Sequence, residues 1–132
     1  VPTPKLAHEA LTSEVIGAFF DVYNELKYGL LESLYRAALE IVLAERGLCV
    51  QREAPLEVRF HGQRIGFFRA DMIVNDVLIV EVKAGAILPV GSKPQLINYL
   101  RISTLEVGLL LFFGRTPEFQ RVVRSGSRIE ED

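Results

Sequence analysis

The eight residues VGLLLFFG, 107–114, carry no polar side chain, and an unbroken apolar run of this kind reads as a strand covered on both faces. Ahead of it lies QLINYLRI, a short helical segment whose Leu96, Ile97, Tyr99 and Leu100 can face a sheet. Ahead of that comes a strand-like run over 77–83. Strand, helix and buried strand in that order imply a parallel, right-handed crossover, so the expected class is α/β.

The rest of the chain supplies the remaining layers. Over 6–26 the apolar residues Leu11, Val15, Ile16, Phe19, Val22, Tyr23 and Leu26 recur at helical spacing, with Glu14, Asp21 and Glu25 on other faces. KYG breaks that pattern, and a second helix is expected over 30–46 with Gly47 as its stop. Then the period shortens to two. Leu48, Val50, Leu56, Val58 and Phe60 mark a strand interrupted or edged at Pro55, HGQ a hairpin turn, and 64–74 the next strand. Asn75 and Asp76 form a tight-turn pair leading into the strand over 77–83, giving a three-strand meander. AGAILPVGSKP reads as a loop, and FQRVVR as an edge strand or helical turn.

With 132 residues, one domain over 1–126 is expected. The end of the chain, 127–132, reads as a polar, acidic, frayed tail. Cys49 is the sole cysteine, which excludes an internal disulfide and favours a reducing compartment such as bacterial cytoplasm. It reads as a small buried hydrophobe within its strand. The start VPTPKLAHEALTSE signals neither export nor membrane insertion. A net charge of −2 gives no global positive field for a polyanion, so contact with nucleic acid would need a local basic groove.

The meander carries charge where buried strands normally exclude it. Glu81 and Lys83 are two apart and share a face. Asp71 sits on the neighbouring strand. A turn centred between Asn75 and Asp76 places Asp71 opposite Val80, so Asp71 and Glu81 share a face only if the register slips by one, for instance at a bulge. Two carboxylates and one ammonium in a covered sheet leave a net negative charge that is expensive to desolvate, and a divalent cation cancels it. Hard oxygen ligands suit Mg²⁺ or Mn²⁺. One Cys and two His, His8 and His61, do not make a zinc site. A cation that acidifies water beside a lysine that stabilises developing phosphorane charge is nuclease chemistry.

RAD at 69–71, EVK at 81–83 and QLINY at 95–99 resemble the PD-(D/E)XK nuclease superfamily, particularly its RecB-like branch with a Q-x-x-x-Y helix. GLLESLY at 29–35 is similar to the G-x-x-E-x-x-Y signature of a family of small, mostly bacterial proteins, and the resemblance runs over 9–124. It implies a restriction-endonuclease-like core: a mixed sheet flanked by helices, in the order helix, three-strand meander, helix, strand. It also implies that Asp71, Glu81 and the Val82 carbonyl hold metal, that Glu32 is a further metal-site acid, and that Lys83 serves the nucleophile. Gln95 and Tyr99 would line the site or touch substrate. Two positions depart from the pattern: Ala70 replaces the proline usual before the aspartate, and Ser92 stands where relatives often have a histidine.

Plainer roles compete for several of these residues. Glu32 can cap its helix, Glu81 and Lys83 can form an ordinary strand-end ion pair, and Tyr35 and Tyr99 can simply pack. Arg36, Arg69, Lys93 and Arg101 are candidates for a phosphate-binding patch or for solvated surface. The expected function is a Mg²⁺- or Mn²⁺-dependent nuclease hydrolysing phosphodiester bonds, in DNA, by metal-activated water. The rival is a catalytically silent interaction or regulatory module of the same fold, with a homodimer as one form.

Overall fold

In the computed structural model of the chain, residues 8–125 and 128–131 are described. Helices α1 (Glu9–Leu26) and α2 (Glu32–Glu45) precede strands β1 (Val50–Phe60), β2 (Gln63–Val74) and β3 (Leu78–Ala84); α3 (Ser92–Ile102) leads to β4 (Val107–Phe113), β5 (Pro117–Ser125) and β6 (Arg128–Glu131). The six strands form one mixed sheet in sequence order. Among the described strands only β3 and β4 run parallel, and the α3 crossover joins them as the apolar run demands.

Every residue of β4 is buried, because helices cover both sides of the sheet. On one side α1 and α2 contribute Val15, Phe19, Tyr35 and Leu39 to a core closed by Val80, Val82, Leu109 and Leu111. On the other, Leu96 and Leu100 of α3 pack on Ile79, Leu110 and Val122. Gly108 makes the second contact close, since a Cβ there would lie 2.7 Å from Leu96 Cδ1. Tyr35 stacks on Phe113 with centroids 4.1 Å apart. Its hydroxyl accepts the Leu30 N–H at 3.1 Å and donates to the Lys27 carbonyl. One buried tyrosine thus pins the turn that sets the entry of α2.

Several expectations are corrected. Leu30 and Leu31 lie ahead of α2, whose N-cap Leu31 makes no side-chain cap bond. Of the two readings at Pro55, an interruption or an edge, the edge is found: β1 runs unbroken through Pro55 at the side of the sheet. Cys49 is exposed in the connector before β1 rather than buried in a strand. FQRVVR belongs to β5, which is not the edge, because Arg128–Glu131 pairs outside it as β6 where a frayed tail was expected. Residues 1–7, 126, 127 and 132 of the sequence reading, including the first residues of the expected first helix, lie outside the described residues.

The turn between β2 and β3 differs in a way that matters for function. It spans three residues, Asn75, Asp76 and Val77, with positive φ of 51° and 59° at the first two. Asn75 tolerates that conformation and is fastened to the connector before β1: its N–H donates to the Cys49 carbonyl and its Oδ1 accepts the Cys49 N–H, both at 2.8 Å. The extra turn residue shifts the pairing to Met72↔Val80, Ile73↔Ile79 and Val74↔Leu78.

Candidate active site

Continuing that register by one pair sets Asp71 opposite Glu81, with no bulge between β2 and β3 required. Here side chains take over from the backbone ladder. The Asp71 N–H donates to Glu81 Oε2 at 2.7 Å, and the Val82 N–H donates to Asp71 Oδ2 at 2.8 Å. Each carboxylate is thereby fixed by an amide of the other strand. Charge-assisted bonds of this length are stronger than neutral ones.

A second irregularity lies between β1 and β2. Arg52↔Met72 and Ala54↔Ala70 are paired, while the intervening Glu53 and Asp71 are not, and Glu53 has φ of 45°. Ala54 and Ala70 pack with the α3 side, whereas Met72 and Val74 pack with the α1 and α2 side. Both strands therefore change face at this point. Asp71, at the change, reaches Glu81 and the α2 layer together. The slip of one residue between β2 and β3 on which a shared site depends is present, supplied by the three-residue turn rather than by a bulge.

From α2, Arg36 Nη1 donates to Asp71 Oδ1 at 3.1 Å and lies 3.7 Å from Glu32 Oε2. Glu32 and Arg36 are one helical turn apart on the same face. The guanidinium thus stands between two of the candidate metal-site acids instead of presenting itself as an unpaired phosphate contact. Beside it, a small cavity is bounded by Arg36, Glu40, Arg52, Glu53 and Asp71.

The electrostatics are dominated by Glu81, which is only 4% exposed. Burial and then the Asp71 charge push its carboxyl up to about 7, opposed by the Asp71 N–H bond and by Lys83, with Glu32 adding to the rise. Lys83 is half-buried two residues on, and among the described residues it forms no ion pair with Glu81. The ordinary strand-end salt bridge is therefore not made. Tyr99 stacks on Phe68 at 3.9 Å; burial first, then the Glu81 and Asp71 charges, raise its hydroxyl above the usual range. Gln95 lies one turn earlier on α3, exposed, with no side-chain bond to the acids among the described residues. Arg69 is exposed two residues before Asp71.

Among the described residues no three His, Cys, Asp or Glu side chains are gathered closely enough to hold an ion as they stand. The donor chemistry nevertheless fits a hard divalent cation. Two carboxylates are fixed side by side, and the raised Glu81 marks a place short of positive charge. Sequence reasoning missed Glu53 and the bridging role of Arg36. The four-residue spacing of Glu32 and Arg36 was a readable signal; nothing in the residue types around Glu53 announces its positive φ.

A family model described as the PD-(D/E)XK nuclease superfamily matches residues 9–123. A search of curated proteins found no match. Among solved structures, the crystal structure of SSO0001 superposes with a TM-score of 0.54 at 18% identity, over 90% of this chain and 61% of that one. This chain therefore spans about three-fifths of that protein's length, and the likeness is one of fold.

Proposed function

We propose, because the chain belongs to the PD-(D/E)XK nuclease superfamily, that it is a metal-dependent nuclease hydrolysing phosphodiester bonds in DNA, of the RecB-like, G-x-x-E-x-x-Y kind. Members of this superfamily typically use divalent metals, and a nucleic acid is the substrate that membership implies. The observation that carries the reading is the cross-strand fastening of both acids: Glu81 is held by the Asp71 N–H and Asp71 by the Val82 N–H. Such bonds hold both carboxylates at fixed positions before any ligand arrives, which is the preorganisation a metal-assisted hydrolysis needs.

Asp71, Glu81 and the Val82 carbonyl would hold Mg²⁺ or Mn²⁺, with Glu32 completing the acidic set once Arg36 turns away. When bound, the cation supplies charge neutralisation at the phosphodiester and a more acidic water. Lys83, on the Glu81 face of β3, orients the nucleophile and stabilises charge developing on the phosphoryl oxygens. Gln95 and Tyr99, one turn apart on α3, flank the substrate, and Arg36, released from Asp71, becomes available to a phosphate.

A second reading has a specific observation in its favour. The Arg36 ion pair with Asp71 already supplies a positive charge, as in a catalytically silent module of this fold that keeps its acids paired. Incubating plasmid and single-stranded DNA with Mg²⁺ or Mn²⁺ separates the two. Cleavage by the native chain, lost in Lys83→Ala, is the nuclease outcome; no metal-dependent cleavage, or cleavage unaffected by the substitution, is the silent one.

A further inference from the structure

The β1–β2 hairpin carries a surface that the acidic site does not use. Its tip is a two-residue turn, His61 and Gly62, both with positive φ. Near the tip the register changes from Val58↔Gly66 to Arg59↔Arg64, so Ile65 is an extra residue on β2. This bulge reverses the alternation. It puts Arg64 on the same face as Phe67, and the Arg64 guanidinium lies over the Phe67 ring at 4.9 Å. Arg69, two residues along β2, approaches the same ring at 5.6 Å. Phe67 still leaves 49% of its surface exposed.

The charges on this face can be accounted for one by one. Cross-strand partners place Pro55 beside Arg69, Glu57 beside Phe67 and Arg59 beside Arg64. Glu57 accepts from Arg59 Nε at 3.1 Å and Nη2 at 2.8 Å, so that pair neutralises itself. Neither Arg64 nor Arg69 has a carboxylate partner among the described residues. What remains is an exposed aromatic ring between two unpaired guanidinium groups. On the same strand, Asp71 follows Phe67 by about 13 Å of chain.

We propose that this face is a stacking platform for single-stranded DNA, with an unpaired base on Phe67 and the neighbouring phosphates on Arg64 and Arg69. An exposed ring offers a base a π-face, and every base has one to return. In a duplex those faces are already stacked. Phosphate contacts alone bind duplex weakly on a chain of net charge −2. Phe67 alternates with Phe68, which stacks on Tyr99 of α3, so the platform lies on the α2 side of the sheet, the side from which Arg36 reaches Asp71 on the same strand. The inference rests on reading the site as a nuclease, and it names that site's substrate as single-stranded DNA.

The test is fluorescence anisotropy of the full chain with labelled oligothymidine, a mixed-sequence DNA duplex and oligouridine RNA, in EDTA so that nothing is cut. Native protein should bind the DNA strand more tightly than either alternative. Phe67→Ala should weaken that binding about tenfold with an unchanged melting temperature, and Phe67→Trp should retain it. Equal or tighter binding of duplex or of RNA, or full binding by Phe67→Ala, overturns the proposal. Because no metal is present, the result is separate from catalysis: strand binding that depends on Phe67 stands even where no cleavage is found, and cleavage that depends on Lys83 stands even where Phe67 proves irrelevant.

Discussion

Asp71 and Glu81 are fastened across the β2–β3 hairpin by their carboxylates, each of which accepts a backbone N–H of the opposite strand. The Asp71 amide binds the Glu81 carboxylate at 2.7 Å, and the Asp71 carboxylate binds the amide of Val82 at 2.8 Å. Two like charges are held together, one of them buried, so the arrangement carries an electrostatic cost in the absence of a cation.

That cost has a pH signature. The Glu81 carboxyl is raised from 4.5 to about 7 in the folded chain. Between those values the folded state binds the extra proton, so stability is greatest below the unfolded value and falls as pH rises through the folded one. For metal-free protein the fall from Glu81 is on the order of 3 kcal/mol. Urea denaturation across that range should show it, and Glu81→Gln should remove it, as should saturating Mn²⁺. A native slope surviving in the variant would contradict the assignment.

Arg36 is expected to oppose metal binding. It donates to Asp71 and lies beside Glu32, so Arg36→Gln frees both acids while losing a partly exposed ion pair worth about 1 kcal/mol. The variant should be less stable without metal, and its thermal stabilisation by Mn²⁺ should set in at a lower concentration. An unchanged Mn²⁺ response would mean that Arg36 does not compete for the site.

Tyr35 anchors the approach to α2 from beneath. Tyr35→Phe keeps the stack on Phe113 but leaves the Leu30 N–H and the Lys27 carbonyl without the hydroxyl. A loss of about 1 to 2 kcal/mol in chemical denaturation is expected. Tyr35→Leu should cost more, since it also removes the ring.

The layer order was legible because periodicity reports burial directly: the unbroken apolar run of β4 and the helical spacing of Val15, Phe19 and Val22 each state what covers them. The residue types at Asp71, Glu81 and Lys83 likewise pointed to one site. Their geometry was not legible. An Asn-Asp pair suggests a two-residue turn, whereas Val77 joins it, and that one residue decides whether Asp71 faces Val80 or Glu81. The change of face at Glu53 and Asp71 depends on tertiary packing of two strands between different helical layers, which no local pattern encodes. Cys49 was misread for a similar reason: alternation extended β1 back over Leu48 and Cys49, into the connector held by Asn75.

Anomalous scattering from crystals soaked in Mn²⁺ addresses the acidic site most directly. A single strong peak about 2 Å from carboxylate oxygens of both Asp71 and Glu81 is expected, with Arg36 displaced and the peak absent in Asp71→Asn. Density that leaves these two residues without Mn²⁺ while Arg36 keeps its bond to Asp71 would contradict a metal-dependent nuclease at this site.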